Sequence, residues 1–248
     1  MGLNAIDTIK PIGIAGILLA AFALVGTALL TGISEVTKPQ RLANERQALL
    51  DNLGQVLPAN AYTNDLLDQA MRFDQGLALL NQDDHATIYR AYFQDQPVAA
   101  VFTTVAPDGY SGDITLLMGV YDNGQISAVR VLQHNETPGL GDKIELAKSD
   151  WITQFNGRSL TDPAPNQWTV TKDGGQFDTF TGATITPRAV VRAIYRGLQF
   201  FDQYQTAMLQ PAATNAVPLL EGTPDITPLL DPTDAVINDL IPTNDVPE

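Results

Sequence analysis

One short segment, Asp178-Thr179-Phe180-Thr181-Gly182-Ala183-Thr184, carries the clearest chemical signal in the chain. Its last four residues are small, and they present the hydroxyl group of Thr184 with little steric cover. Thr186-Pro187 follows and predicts a helix start, because threonine caps helices and proline suits the first helical position. A helix N-terminus attracts anions through its free N–H groups and its dipole. A phosphate group at or near Thr184 would fit this place.

A second segment of interest runs from His134 to Asp142, between a predicted strand and a predicted helix. Gly139 and Gly141 expose main-chain groups and allow a flat ring to approach, while Thr137 offers a hydroxyl and Leu140 an apolar contact. This composition suits a planar heterocycle with a polar edge. A loop that only turns a corner could have the same residues, and Thr-Gly-Ala-Thr could be a simple connector. The residues alone leave these interpretations open.

Both segments resemble motifs of the FMN-binding domains of the Rnf and Na⁺-translocating NADH:quinone oxidoreductase complexes. In that family a flavin transferase joins FMN, through its phosphate, to the last threonine of D-x-x-[ST]-G-A-T, which corresponds to Thr184 here. Asp178 begins the same modification motif. The family element E-T-P-G-[LM]-G, which flanks the isoalloxazine ring, matches the segment from Glu136 to Gly141. The cofactor-binding residues implied are Glu136, Thr137, Leu140, Gly141, Thr181, Gly182, Ala183 and Thr184.

Two cations could face the phosphate of such a cofactor. Lys172 stands just before the turn Asp173-Gly174-Gly175, which leads back into the modification motif, and Arg188 lies in the predicted first helical turn. We assign Lys172 to the cofactor site as a hypothesis. An ordinary solvated surface position explains either residue equally well.

The composition excludes several other kinds of site. The chain of 248 residues has no cysteine, which excludes disulfides and thiolate-bound metal or iron–sulfur centres. His85 and His134 are the only histidines and lie far apart, so we predict no metal site. A formal net charge of −14 argues against nucleic acid, which requires a basic surface. No set of residues typical of a catalytic nucleophile and its base is present, so we predict no catalytic residue.

The two ends of the chain differ in character from the middle. Residues 12–33 are uncharged and apolar, and about 20 such residues span a bilayer, so we predict a transmembrane anchor. A cleaved signal peptide or a buried helix is the alternative. Residues 211–248 carry seven acidic residues and no lysine or arginine, which predicts a disordered acidic tail, although its apolar pairs could dock on a partner. The flanking charges do not settle the orientation of the anchor.

Between the ends the pattern predicts an α+β fold with an antiparallel sheet and packed helices. A helix is expected from Pro39 to about Leu57, and residues 64–80 are either helical or a partly ordered insertion. Strands are expected at 87–93, 97–105, 114–121 and 126–133, the last two joined by a tight turn at Asp122-Asn123-Gly124. Further helices are expected at 143–155 and from Pro187 to about Met208.

The resemblance implies an order of domains and a function. The predicted order is a short segment (1–11), the anchor (12–33), a connecting helical segment (34–86), an FMN-binding domain (87–210) and the tail (211–248). The run from Ile185 to Val191 looks most like the G subunits of Rnf complexes. It implies a single-pass protein of the bacterial inner membrane, with its domain in the periplasm, that relays electrons through covalent FMN. Its implied partners are the other subunits, the flavin transferase and the lipid bilayer.

Two alternatives remain open at this point. The first is the C subunit of a Na⁺-translocating NADH:quinone reductase, which shares the same motifs and would be separated by its gene neighbours. The second is a membrane-tethered binding module without a cofactor. In the favoured interpretation the chain is an electron-transfer subunit without a complete active site of its own.

Overall fold

The computed structural model describes residues 46–210, together with residues 19, 20, 22–24, 27 and 44. The predicted tail and most of the predicted membrane anchor lie outside these residues. Within the described part of the anchor, Leu19, Phe22 and Leu24 are helical and their side chains are exposed. Among the residues described, none of the helices combines the length and the apolar composition needed to cross a bilayer.

The centre of the fold is an antiparallel sheet of five strands in chain order, which confirms the predicted α+β class. Each strand pairs with the next strand along the chain, and Asn123-Gly124 forms the predicted turn between the last two. Gly124 has a φ of 81°, which a tight turn favours in glycine, and Asn123 Oδ1 accepts a hydrogen bond of 3.0 Å from the main-chain N of Gln125. The strands are β1 (Ala70–Phe73), β2 (Ala86–Phe93), β3 (Gln96–Ala106), β4 (Ile114–Tyr121) and β5 (Ile126–Gln133).

Both faces of the sheet are buried, because successive side chains of a strand point to opposite sides. One face, which includes Phe102 and Met118, packs against helix α3 (Ile185–Leu209). At Gly197 this helix comes so close that an added Cβ would lie 2.9 Å from Met118 Sδ. The opposite face, which includes Leu117, packs against the buried side chains of helix α1 (46–56). Residues 46–56, which belong to the predicted first helix, are thus helical as expected.

Residues 64–80 do not form the helix that was considered for them. They make a turn, strand β1 and the four-residue helix α2 (Leu77–Leu80), which is bounded by left-handed backbone at Gly76 and Asn81. The apolar residues of this stretch serve two different faces of the sheet. Leu66 packs against one face and Leu80 against the other. The chain therefore passes around the edge of the sheet, and the helix-like spacing of its apolar residues does not come from a helix.

The predicted helix over 143–155 is also wrong. Two 3-10 turns, Gly141–Ile144 and Asp150–Phe155, occupy this part of the chain. The second turn starts afresh because Ser149 Oγ caps it, accepting a 3.1 Å hydrogen bond from the main-chain N of Trp151. The apolar residues of the stretch nevertheless enter the core as the periodicity suggests, namely Ile144, Trp151, Ile152 and Phe155.

Candidate functional site

The segment around Thr184, residues 178–184, forms a tight turn that we call the acceptor loop. The main-chain N of Ala183 donates a 3.1 Å hydrogen bond to the carbonyl of Phe180, which closes the turn. Gly182 occupies its third position with a φ of 85°, a conformation that other residues adopt only with strain. Thr181 and Gly182 are exposed at the tip, and Thr184 is partly exposed just behind them.

Thr184 stands at the N-cap of α3, so the predicted cap at Thr186 is wrong. The helix begins at Ile185, and the main-chain N of Arg188 donates its first hydrogen bond, of 3.3 Å, to the carbonyl of Thr184. Thr186 is instead buried in the first turn, where its hydroxyl donates to a carboxylate. The hydroxyl of Thr184 does not cap the helix and stays available on the surface.

The hydroxyl of Thr184 is in contact with a lysine side chain. Lys172 Nζ donates a hydrogen bond of 3.2 Å to Thr184 Oγ1, from the 3-10 turn Thr171–Asp173. The fold therefore brings Lys172 to the last residue of the motif. This contact depends on the turn at Gly174, whose φ of 86° reverses the chain after Asp173.

Arg188, the second cation near the motif, is already paired with Asp173. Its Nε and Nη2 lie 2.6 Å and 2.8 Å from the two carboxylate oxygens, a bidentate arrangement. The hydrogen bonds from Arg188 lower the pKa of Asp173 below its ordinary value, and the same bonds raise the pKa of Arg188. The charge of Arg188 is thus balanced locally, whereas Lys172 points to Thr184.

The second predicted segment lies directly beside the acceptor loop. We call residues 136–141 the ring loop. The main-chain N atoms of Leu140 and Gly141 donate to the carbonyl of Thr137, at 3.1 Å and 3.0 Å, and Gly139 has a φ of 77°. Leu140 is 42% exposed although it is apolar, and its Cδ2 would lie 3.4 Å from a Cβ added at Gly182. The two loops are therefore in contact.

Glu136 connects the ring loop to the start of α3 and to a third loop. Its side chain is 4% exposed. One carboxylate oxygen accepts a 2.9 Å hydrogen bond from the main-chain N of Ser111, and the other accepts a hydrogen bond from the hydroxyl of Thr186. Gly141 leaves room for this pair, since an added Cβ would lie 2.8 Å from Glu136 Oε2 and 3.0 Å from Thr186 Oγ1.

Some residues that shape the site gave no signal in the sequence. Trp151 Nε1 donates a 2.8 Å hydrogen bond to the carbonyl of Asp178, and its ring meets that of Phe180 at 5.1 Å between centroids. Trp151 and Asp178 are separated by 27 positions, and Ser111 and Glu136 by 25, so no local pattern relates them. Among the residues in these contacts, the motifs indicated Asp178 and Glu136, and Thr186 was singled out for a different role, as a helix cap.

The other predicted site residues are placed as follows. Ala183 is partly exposed in the acceptor loop, Thr137 is partly exposed in the ring loop, and the side chain of Asp178 is exposed. Among the described residues, no cluster of histidine, aspartate or glutamate side chains is suited to a metal ion. The site thus offers an accessible hydroxyl beside a cation, with exposed apolar surface next to it.

Comparison with known proteins gives concordant matches. Residues 109–199 match the model of the FMN-binding domain, and residues 1–56 match the model of the RnfG N-terminal region. The chain is 46% identical over 196 residues to the G subunit of the ion-translocating oxidoreductase complex of Pseudomonas aeruginosa, covering 79% of this chain and 91% of that protein.

Other relatives bear the same name. The G subunit from Shewanella oneidensis is 44% identical over 190 residues, covering 77% of this chain and 89% of that protein. The G subunit from Cereibacter sphaeroides is 44% identical over 198 residues, covering 80% and 88%. At this identity and coverage, the chain belongs to the family of ion-translocating oxidoreductase complex G subunits.

Proposed function

We propose that this chain is a flavoprotein subunit of an ion-translocating oxidoreductase complex and that it carries one FMN joined through its phosphate to Thr184. The observation that carries the proposal is the 3.2 Å hydrogen bond from Lys172 Nζ to Thr184 Oγ1. A phosphodiester formed on this oxygen retains a negative charge, and a lysine ammonium beside it would neutralise that charge.

The start of α3 supports the same assignment. The helix extends over 25 residues from Ile185, and the N–H groups of Ile185 and Thr186 have no acceptor within the helix. A helix N-terminus stabilises an adjacent negative charge by about 0.3–1 kcal/mol. Since Arg188 is engaged by Asp173, Lys172 and the helix start are the groups that would face the phosphate.

The surface beside Thr184 suits a flat, largely apolar ring. Leu140 of the ring loop and Ile185 of the first turn of α3 are exposed apolar side chains, and Gly139 and Gly182 carry no side chain to cover the main chain of the two loops. Thr137 is partly exposed on the same loop. These residues would orient the isoalloxazine ring and exclude water from one of its faces. When bound, FMN supplies the electron-transfer chemistry, and the protein supplies position and environment.

In this proposal the remaining site residues act through the two loops. Glu136 and Gly141 are buried and fix the ring loop against the start of α3. Asp178, Thr181, Gly182 and Ala183 would present the modification motif to a flavin transferase. In this role the chain relays electrons without a complete active site of its own, and the other subunits of the complex would deliver and receive the electrons.

We further propose a single-pass protein of the bacterial inner membrane, with its folded domain in the periplasm. The exposed apolar residues Leu19, Phe22 and Leu24 support an anchor at 12–33, which residues 1–11 precede. In this arrangement residues 34–86 connect the anchor to the FMN-binding domain at 87–210. The acidic segment 211–248 follows as a tail.

The proposal is tested by in-gel flavin fluorescence of the full chain coexpressed with a flavin transferase and exported to the periplasm. Thr184→Ala should abolish the fluorescence, whereas Thr184→Ser should retain part of it because it keeps a hydroxyl. Thr179→Ala is the matched control, since Thr179 is a partly exposed threonine at a variable position of the same motif, and it should keep its flavin. Covalent flavin on Thr184→Ala would show that the attachment residue is a different one.

A further inference from the structure

The upstream half of the acceptor loop is held by Trp151, which lies far from it in sequence. The indole N–H of Trp151 donates to the main-chain carbonyl of Asp178 at 2.8 Å. Its ring meets the ring of Phe180 edge-on, at 5.1 Å between centroids and 60° between planes. One side chain therefore contacts the loop on both sides of Thr179.

Trp151 is itself firmly placed. It is 8% exposed in the 3-10 turn Asp150–Phe155, and its main-chain N donates to Ser149 Oγ at 3.1 Å. The ring of Phe155 packs against it edge-on at 5.3 Å. Since the indole is fixed by the core, the carbonyl of Asp178 that it binds is fixed as well.

The two ends of the acceptor loop are thus attached to different parts of the fold. Trp151 holds Asp178 and Phe180 at the start, and Glu136 holds Thr186 just past the end. The exposed residues Thr181 and Gly182 lie between these attachments. Because the inward bond uses the main chain of Asp178, its side chain remains exposed for a partner to contact.

We propose that Trp151 is a positioning residue for flavin attachment, which keeps the acceptor loop in the shape that a flavin transferase engages. This inference rests on the proposed function and adds a residue that lies outside both motifs. A loop that is ordered before binding avoids the cost of ordering it during binding. Losing the indole hydrogen bond should therefore slow attachment without removing the acceptor hydroxyl.

The second tryptophan of the chain offers a matched control. Trp168 is 5% exposed and packs against Phe177 and Tyr195, at 4.8 Å and 5.4 Å between centroids. Within the part of the chain that the structure describes, its indole N–H has no hydrogen-bond partner. Trp151→Phe and Trp168→Phe thus make the same change in size at a buried ring, but only Trp151→Phe removes a hydrogen bond to the acceptor loop.

The first measurement is hydrogen exchange of the unmodified full chain in detergent, which needs no flavin. Trp151→Phe should speed exchange of the main-chain amides of residues 179–184 by about fivefold, as expected for one lost hydrogen bond. Trp168→Phe should leave these amides unchanged. Unchanged exchange in Trp151→Phe, or equal acceleration in both variants, would overturn the proposal.

The second measurement is the initial rate of flavin attachment during coexpression with a flavin transferase. Trp151→Phe should attach flavin about fivefold more slowly than Trp168→Phe when both have the same unfolding temperature. Equal rates would overturn the positioning role. If Trp151→Phe does not fold, Phe180→Leu tests the same contact from the loop side, and attachment at the wild-type rate would then count against it. If the wild-type chain takes up no flavin, the proposed function is refuted. The hydrogen-exchange measurement does not depend on flavin, so it still tests whether Trp151 holds the acceptor loop.

Discussion

The acceptor loop and the ring loop touch each other but use their polar groups in opposite ways. The acceptor loop leaves the hydroxyl of Thr184 partly exposed, with the Lys172 ammonium bound to it. The ring loop buries the carboxylate of Glu136 and engages both of its oxygens. A group that is to be modified must be reached from outside, whereas a group that sets geometry is most effective where water cannot compete.

The largest effect is expected when the buried carboxylate of Glu136 is removed from the ring loop. Glu136→Ala leaves the N–H of Ser111 and the hydroxyl of Thr186 without their acceptor, and we expect it to lower the free energy of unfolding by about 3 kcal/mol. Urea denaturation followed by circular dichroism measures this. Glu136→Gln keeps the shape of the side chain and one acceptor oxygen, so its free energy of unfolding should fall clearly less. A loss below about 1 kcal/mol in Glu136→Ala would show that the carboxylate does not hold the loops.

A second prediction compares two glycines of the ring loop. At Gly141 an added Cβ collides with Glu136 and Thr186, so we expect Gly141→Ala to cost about 2 kcal/mol of stability. At Gly139 the added Cβ meets nothing, and only the φ of 77° opposes it, so Gly139→Ala should cost about 1 kcal/mol. Thermal or urea unfolding of both variants measures which of them loses more stability. The reverse order would argue against close packing at Gly141.

The sequence predicted four of the five strands and the long last helix well because their signals are local. The strands at 114–121 and 126–133 and the turn at Asn123-Gly124 agree with the structure residue by residue. Helix α3 begins two residues before the predicted Pro187. Its cap was misplaced because the hydroxyl of Thr186 found a partner, Glu136, that lies 50 positions away.

The failures have a common physical cause. Apolar residues spaced as in a helix also arise when a chain crosses a sheet edge, as at 64–80, or makes successive short turns, as at 143–155. For the site, local motifs could indicate Thr184 and the ring loop. The contact between Lys172 and Thr184 depends on a turn that brings the two together, so it could only be guessed. The bonds from Trp151 to Asp178 and from Ser111 to Glu136 depend on tertiary packing alone.

At the acceptor loop, the comparison is sharpened by removing each of the two nearby cations in turn. Lys172→Gln removes the ammonium at Thr184 Oγ1, and we expect flavin attachment to slow about fivefold, a modest effect because Lys172 is exposed and solvent screens its charge. Arg188→Gln removes a cation that Asp173 already balances, so it should slow attachment less. In-gel fluorescence after a fixed time of coexpression measures both. A stronger effect of Arg188→Gln would reassign the phosphate contact to that residue.

The smallest effect concerns the ion pair between Asp173 and Arg188. Hydrogen bonding to Arg188 lowers the pKa of Asp173 below its ordinary value of 3.8, so the pair stabilises the fold above that pH. The contribution is lost as the pH falls through the lowered pKa, and it is small because both groups reach solvent. Asp173→Asn should therefore lower stability slightly at pH 7 and match the wild type in strong acid. An equal difference at both pH values would contradict the pairing.

The most direct test of the central claim is mass spectrometry of the protein extracted from the membranes of its native host, with the flavin transferase intact. The account predicts that the peptide containing Thr184 carries the added mass of FMN less one water, and that fragmentation places it on that residue. An unmodified peptide, or flavin on Thr181 or Thr186 instead, would contradict it.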